Sequence, residues 1–301
     1  MNGKYLSGLI TGLLIASIIS VTFVDAKVHD ERAVVSSLPQ IIESVDMNKG
    51  FTFGGEQMPN TFDARERLDR ELSVNAYWHS STLLNIKAAK RYFPVMEKIL
   101  AENGIPEDFK FLAVAESNLR NVSSPASAKG FWQFRKLAAR EFGLEVNDEV
   151  DERYHLEKAT KAACKYLKQL HKRFGNWTNA AAAYNVGPTN FSRILKSQGE
   201  ESFYNLNLND ETSRYVFRLI AIKEIMSQPD RFGFYLDDFE KYEPLDDYYE
   251  VTVKSSVDSW SEFAKKYGMS YRMLKIYNPW LRDTKLTVIK NTYQVKIPKN
   301  S

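Results

Sequence analysis

The stretch Phe111-Leu-Ala-Val-Ala-Glu-Ser-Asn-Leu-Arg120 sets a single carboxylate, Glu116, at the end of an apolar helical run. An acid carried on such a segment tends to be desolvated, which raises its pKa and suits it to donate a proton near neutral pH. Taken alone, a glutamate in this position is more often a solvated or capping residue, so its meaning depends on what folds around it. Upstream, Pro106-Glu-Asp108 opens the helix, with proline in the first turn and two acids at the positive end of the dipole. Downstream lie two blocks of aromatic and polar residues, Gly130-Phe-Trp-Gln133 and Ala183-Tyr-Asn-Val-Gly187.

Outward from this stretch the chain is helical in pattern. Leu83-Leu84, Ile86, Ala89 and Tyr92-Phe93 begin a series of apolar positions spaced by three and four, and Phe93-Pro94 predicts the start of a new helix through Leu100, closed by Gly104. Leu156, Ala159, Ala163, Leu167, Leu170 and Phe174 recur at core spacing, with Gly175 as the stop. Trp177 to Tyr184 is rich in alanine, which permits close helix packing, and Tyr215, Leu219, Ile222 and Met226 form one stripe of a further helix. Residues 75–235 therefore read as one all-α domain. Residues 27–74, with Gly50-Phe-Thr-Phe-Gly-Gly55 and Pro59-Asn60, read as a linker or arm. Residues 236–247 read as an acidic linker. Residues 248–299 read as a separate βααβ module at the end of that tether, with strands at Tyr249-Glu-Val-Thr-Val253 and Thr292 to Ile297.

Composition narrows the function classes. Apolar content of 44% and charged content of 26% are ordinary for a soluble globular protein. A net charge of +3, with no dense basic cluster interleaved with aromatics, argues against nucleic acid. The uncharged run Tyr5 to Val24 suits a secretory leader, and Val24-Asp-Ala26 resembles a cleavage site, so residues 1–26 read as a signal peptide. An uncleaved membrane anchor is the alternative, since the run is about long enough to span a bilayer. Cys164, the one cysteine, sits among small and apolar residues and reads as a buried structural thiol. His29, His79, His155 and His171 show no metal-ligand spacing, so neither a metal nor another cofactor is expected.

Five blocks occur in order: Glu116-Ser117, Ser124-Pro125, Gly130-Phe-Trp-Gln133, Ala183-Tyr-Asn-Val-Gly187 and Glu211-Thr-Ser-Arg-Tyr-Val216. Each is weak alone. Together they resemble the soluble-lytic-transglycosylase domain, close to the membrane-bound murein transglycosylase D type, over about residues 80–232. The resemblance implies a mainly α fold with a lysozyme-like catalytic domain. It also implies cleavage of peptidoglycan between N-acetylmuramic acid and N-acetylglucosamine. In that family the glutamate matching Glu116 is the sole acid and base: it protonates the glycosidic oxygen, then deprotonates the muramoyl C6 hydroxyl, which closes on C1 to leave a 1,6-anhydro end. Most glycoside hydrolases use two carboxylates, and the blocks beside Glu116 offer no second acid at a corresponding place.

The same resemblance assigns Ser124 and Gln133 to the glycan groove and Tyr184 and Asn185 to the catalytic pocket. Ser117, Glu211 and Tyr215 become candidate substrate contacts or wall residues. The chain departs from the family where Phe134-Arg135-Lys136 replaces an aromatic followed by Met-Pro, and where Ser127 replaces a glycine. Those departures concern groove shape and local charge.

In the C-terminal module, Tyr267-Gly268, Tyr277-Asn-Pro279 and Tyr293-x-Val-x-Ile-Pro298 resemble the lysin motif, which binds N-acetylglucosamine polymers. The usual Gly-Asp-Thr after the first strand is replaced by Ser255-Ser-Val-Asp258. Trp260, Tyr277 and Trp280 are candidate sugar-stacking aromatics, two of which read equally well as core. The expected protein is exported to the cell envelope, the periplasm, where a tethered module raises the local concentration of glycan strands at the site. A hydrolytic muramidase of goose-lysozyme type on the same fold, or a non-catalytic peptidoglycan-binding protein, are the rival readings.

Overall fold

The computed structural model describes residues 44–299, so the leader expected over 1–26 lies outside the described residues. The helices that carry the site are built around α8 (Asp210–Ser227), begun by Asn209, whose side chain accepts a hydrogen bond from the Thr212 amide. Tyr215, Val216, Phe217, Leu219, Ile220, Ala221, Ile222 and Ile225 of this helix are all buried, so it is enclosed on most of its faces. Against it pack α1 (Phe62–Tyr77), α3 (Lys110–Ser117) and α6 (Trp177–Val186). The buried alanines Ala180 to Ala183 have no bulk to hold neighbours away, and α6 sits between α8 and α5 (Leu156–Phe174). Gly175, with φ +81°, ends α5 as its position predicts. The shorter helices α4 (Lys136–Glu141) and α7 (Pro188–Gln198) complete the domain.

Two expectations about its first half need correction. Helix α2 (His79–Glu102) runs unbroken through Pro94 instead of restarting there. Its packing against α5 and α3 outweighs the loss of one backbone donor. Residues 51–74, expected in a linker, belong to the core: Phe51, Phe53, Leu68 and Leu72 are buried. The short strands β1 (Thr52–Phe53) and β2 (Glu56–Gln57) pair antiparallel and are fastened on both sides. Lys223 Nζ donates to the Thr52 carbonyl at 3.0 Å, and the Glu56 carboxylate accepts from the Trp177 and Thr178 amides at 2.6 and 2.9 Å. Glu56 thereby satisfies the open N–H groups at the start of α6.

The C-terminal module is βααβ as expected: β3 (Tyr248–Val253), α9 (Trp260–Lys266), α10 (Tyr271–Tyr277) and β4 (Tyr293–Pro298), with β3 and β4 antiparallel and Val251 opposite Val295. It is docked and not tethered. The acidic segment lies along α2, where Lys90 pairs with Asp238 and Glu243, each at 2.7 Å, and the Tyr242 amide donates to the Lys87 carbonyl. The module's core takes in Val150 and Tyr154 from the helical domain. Trp260 (0% exposed) and Trp280 (3%) are part of that core, which removes both from the candidate sugar-stacking surface. Among the described residues no helix is long and apolar enough to cross a membrane.

Candidate active site

Helix α3 ends at Ser117, because Asn118 and Leu119 both turn to φ +51° and the Asn118 amide closes on the Val114 carbonyl at 2.8 Å. This stop leaves Glu116 on the last turn of a helix whose Phe111 to Val114 are buried, itself only partly buried. Tyr215 of α8 donates its hydroxyl to Glu116 Oε1 at 2.6 Å. Burial pushes the Glu116 carboxyl above its ordinary value. The Tyr215 hydrogen bond and the Arg218 charge oppose that rise, and the nearby Glu211 carboxylate reinforces it. Tyr184 and Tyr215 are held well above the usual phenol range, chiefly by burial and then by the Glu116 charge, so both present neutral hydroxyls.

Joined to the end of α3 where the Ser117 hydroxyl meets the Phe131 carbonyl, the loop 121–135 folds back on itself through bridges pairing Ser123 with Lys129 and Lys129 with Phe134. Gly130 adopts φ +80°, and a Cβ there would lie 1.8 Å from the Arg153 carbonyl oxygen. The loop and the segment carrying Arg153 thus meet at a separation only glycine allows. Trp132 is fully buried and anchors the loop by donating its indole N–H to Thr160 Oγ1 at 3.0 Å. Its carbonyl accepts the Tyr184 hydroxyl at 2.7 Å, which ties the loop to α6.

The residues expected at the site divide into two groups. Glu116, Tyr184 and Tyr215 come together, with Asn185 partly buried on the last turn of α6. The others serve local backbone in this structure. Ser117 is buried (4% exposed), with its hydroxyl within hydrogen-bond distance of the Ala113 and Phe131 carbonyls. Ser124 Oγ accepts from the Ala128 amide, and Gln133, at φ +48°, donates its amide to the Val122 and Gly130 carbonyls. Glu211 is exposed in the first turn of α8 and reaches Glu116 through its charge.

Two contributors escaped the sequence reading. Arg218 lies three residues after Tyr215, on the same face of α8, and that spacing would have found it. Glu71, 0% exposed, accepts from Arg214 Nε at 2.5 Å and Arg218 Nε at 3.4 Å, and so fixes the guanidinium whose charge acts on Glu116. It fell in the stretch read as a linker. A cavity of about 220 Å³ flanks the acid and does not contain it; Ala115, Asn118, Arg218, Asn85 and Trp78 are among its lining residues.

Residues 93–207 match the transglycosylase SLT domain, and residues 249–301 match the soluble lytic transglycosylase C-terminal LysM-like domain. The chain carries a transglycosylase SLT domain. Over 248 residues this SLT-domain chain is 27% identical to membrane-bound lytic murein transglycosylase D of Escherichia coli (strain K12), covering 80% of this chain and 53% of the relative. It is 26% identical over 145 residues to a putative tributyltin chloride resistance protein of Alteromonas sp. (strain M-1), covering 48% of this chain and 65% of that one. The chain thus spans about half the length of the murein transglycosylase it matches. The 70 kDa soluble lytic transglycosylase of Escherichia coli overlaps 55% of this chain and 30% of its own, with a TM-score of 0.40 and 20% sequence identity.

Proposed function

We propose that this SLT-domain protein is a peptidoglycan lytic transglycosylase that cuts between N-acetylmuramic acid and N-acetylglucosamine, with Glu116 as acid and then base. The observation that carries this reading is the state of Glu116: a carboxyl raised by burial and held by the Tyr215 hydroxyl, at the end of a helix. In the first step the protonated carboxyl gives its proton to the glycosidic oxygen as the bond to C1 breaks. In the second, the carboxylate takes the proton of the muramoyl C6 hydroxyl while that oxygen bonds to C1. The acid is regenerated and no water is consumed. Tyr184 and Asn185 line the pocket in this reading, and Ser117, Ser124 and Gln133 shape the groove wall by fixing its backbone. Action on this polymer implies residence in the cell envelope, reached by export through the leader at Tyr5 to Val24.

Glu211 supports a second reading. Its charge acts on Glu116 from an exposed position, and a two-carboxylate hydrolase would use such a second acid to activate water. Digestion of purified sacculi with mass analysis of the products separates the two. The lyase reading expects 1,6-anhydro ends, a roughly 10²–10⁴-fold loss in Glu116→Gln and a modest effect of Glu211→Gln. Reducing ends, together with a comparable loss in Glu211→Gln, would establish the hydrolase instead. A wild type with no activity on sacculi would sink both.

A further inference from the structure

The C-terminal module is bonded to the segment that holds the loop 121–135, which Ser117 and Tyr184 join to the candidate site. The contact begins at the turn Glu145 to Glu152, where Val150 bridges to Leu281, the Asp151 amide donates to the Trp280 carbonyl at 2.9 Å, and the Arg282 amide donates to the Glu149 carbonyl at 2.8 Å. Side chains reinforce it. The Glu149 carboxylate accepts from the Thr287 amide at 2.5 Å and its hydroxyl at 3.0 Å, and Glu145 accepts from Tyr293 and Asn291 at 3.0 and 3.2 Å. The Arg282 guanidinium lies 4.2 Å from the centre of the Tyr154 ring.

From this turn the connection continues to the active-site loop. Asp151 and Arg153, each 4% exposed at the side chain, form a bidentate pair at 2.8 and 2.7 Å. Arg153 Nη1 then donates to the Ser127 and Phe134 carbonyls, both at 3.2 Å, one on each arm of the loop. The Arg153 carbonyl is also the atom that abuts Gly130, and Asn121 donates to the neighbouring Tyr154 carbonyl. Asp151 therefore binds the module with its backbone and orients with its carboxylate the cation that spans the loop.

We propose that the module is a positioning part of the active site, acting through Asp151 and Arg153 on the loop 121–135. This differs from a tethered glycan-capturing arm. A capturing arm raises the local concentration of polymer and leaves the chemical step on a short substrate untouched. A positioning part changes that step whatever the substrate length, because small displacements of groups facing the reacting bond are costly. The inference rests on the lyase reading only where turnover is the readout.

The test uses the full chain carrying Glu145→Ala and Glu149→Ala, which remove side-chain acceptors at the rim of the contact and leave Asp151, Arg153 and Glu116 in place. Two measurements are made beside a melting curve. Hydrogen exchange at the Lys129 and Gly130 amides, which donate to Phe134 and Val122, should lose protection while α8 keeps its own. On a tetrasaccharide of alternating N-acetylglucosamine and N-acetylmuramic acid, kcat should fall roughly tenfold or more with KM nearly unchanged. Glu149→Gln, which keeps an acceptor toward Thr287, should restore most of both readouts relative to Glu149→Ala. Glu149→Ala alone serves as the test variant if the double substitution fails to fold. Unchanged loop protection and tetrasaccharide kcat, with the loss confined to sacculi, would overturn the proposal, as would the absence of rescue by glutamine. If the wild type turns over neither substrate, the lyase reading falls and the exchange result alone decides this one.

Discussion

At the level of single residues, the chemistry turns on how Tyr215 and burial compete over one proton. The Tyr215 hydroxyl donates to the Glu116 carboxylate, which favours the charged form, while burial favours the neutral acid. As first-step acid, Glu116 must be protonated, so activity is present at lower pH and is lost as pH rises through its folded-state pKa. Tyr215→Phe removes a group that stabilises the anion and moves the alkaline limb of the pH–rate profile upward. It should also cost roughly ten- to a hundredfold in rate, the value of a hydrogen bond to a charged group. A limb that moves down, or does not move, would contradict the hydrogen bond as a determinant of this acid. Arg218 works in the same direction as Tyr215, and buried Glu71 fixes its guanidinium.

At the level of elements, the site is a helix end set against a tightly folded loop, and Gly130 is where the loop meets the segment behind it. Gly130→Ala forces a side chain into left-handed backbone and drives a Cβ into the Arg153 carbonyl. It should destabilise by at least about 2 kcal/mol through strain and displaced backbone. Gly175→Ala provides the control, since that glycine has nearly the same φ, +81°, and a Cβ added there would meet nothing within 4 Å. Its cost should stay near the intrinsic ~1 kcal/mol of the conformation. Denaturant midpoints of the two variants check the comparison; equal losses would mean that the close approach to Arg153 relaxes freely.

Across the whole molecule, the docked module makes the interface part of the stability balance. Glu157 of the helical domain pairs with Lys296 of the module and lies 3.1 Å from His155 Nδ1. Burial alone would raise the Glu157 carboxyl, yet His155 and Lys296 more than offset it and hold the group far below its ordinary 4.5. A depressed carboxylate contributes stability that is present above the ordinary value and is lost as pH falls toward the folded one. The interface should therefore loosen as pH falls below about 4.5, read as faster exchange of the β4 amides. Glu157→Gln should weaken the contact at neutral pH and flatten its dependence on acid; a variant with an unchanged acid profile would assign the sensitivity elsewhere.

The sequence by itself determined the long helices α5 and α8, the βααβ order of the last module and the acid at the end of an apolar run. Each of these is written in local spacing: apolar residues at helical period, a glycine stop, strands of alternating residues. Tyr215 was legible as a candidate only through the resemblance its block implies, since its spacing alone marks a helix stripe. Only the tertiary structure decided that Phe51, Phe53 and Glu71 belong to the core, since short strands and a buried acid carry no period and gain their stability from distant partners. Only it showed Ser117, Ser124 and Gln133 bonding to backbone, because which partner a short polar side chain finds depends on how the loop closes. The docking of the last module was equally hidden. It depends on complementary groups such as Glu149 and Thr287, far apart in the chain and brought together when both surfaces have already formed.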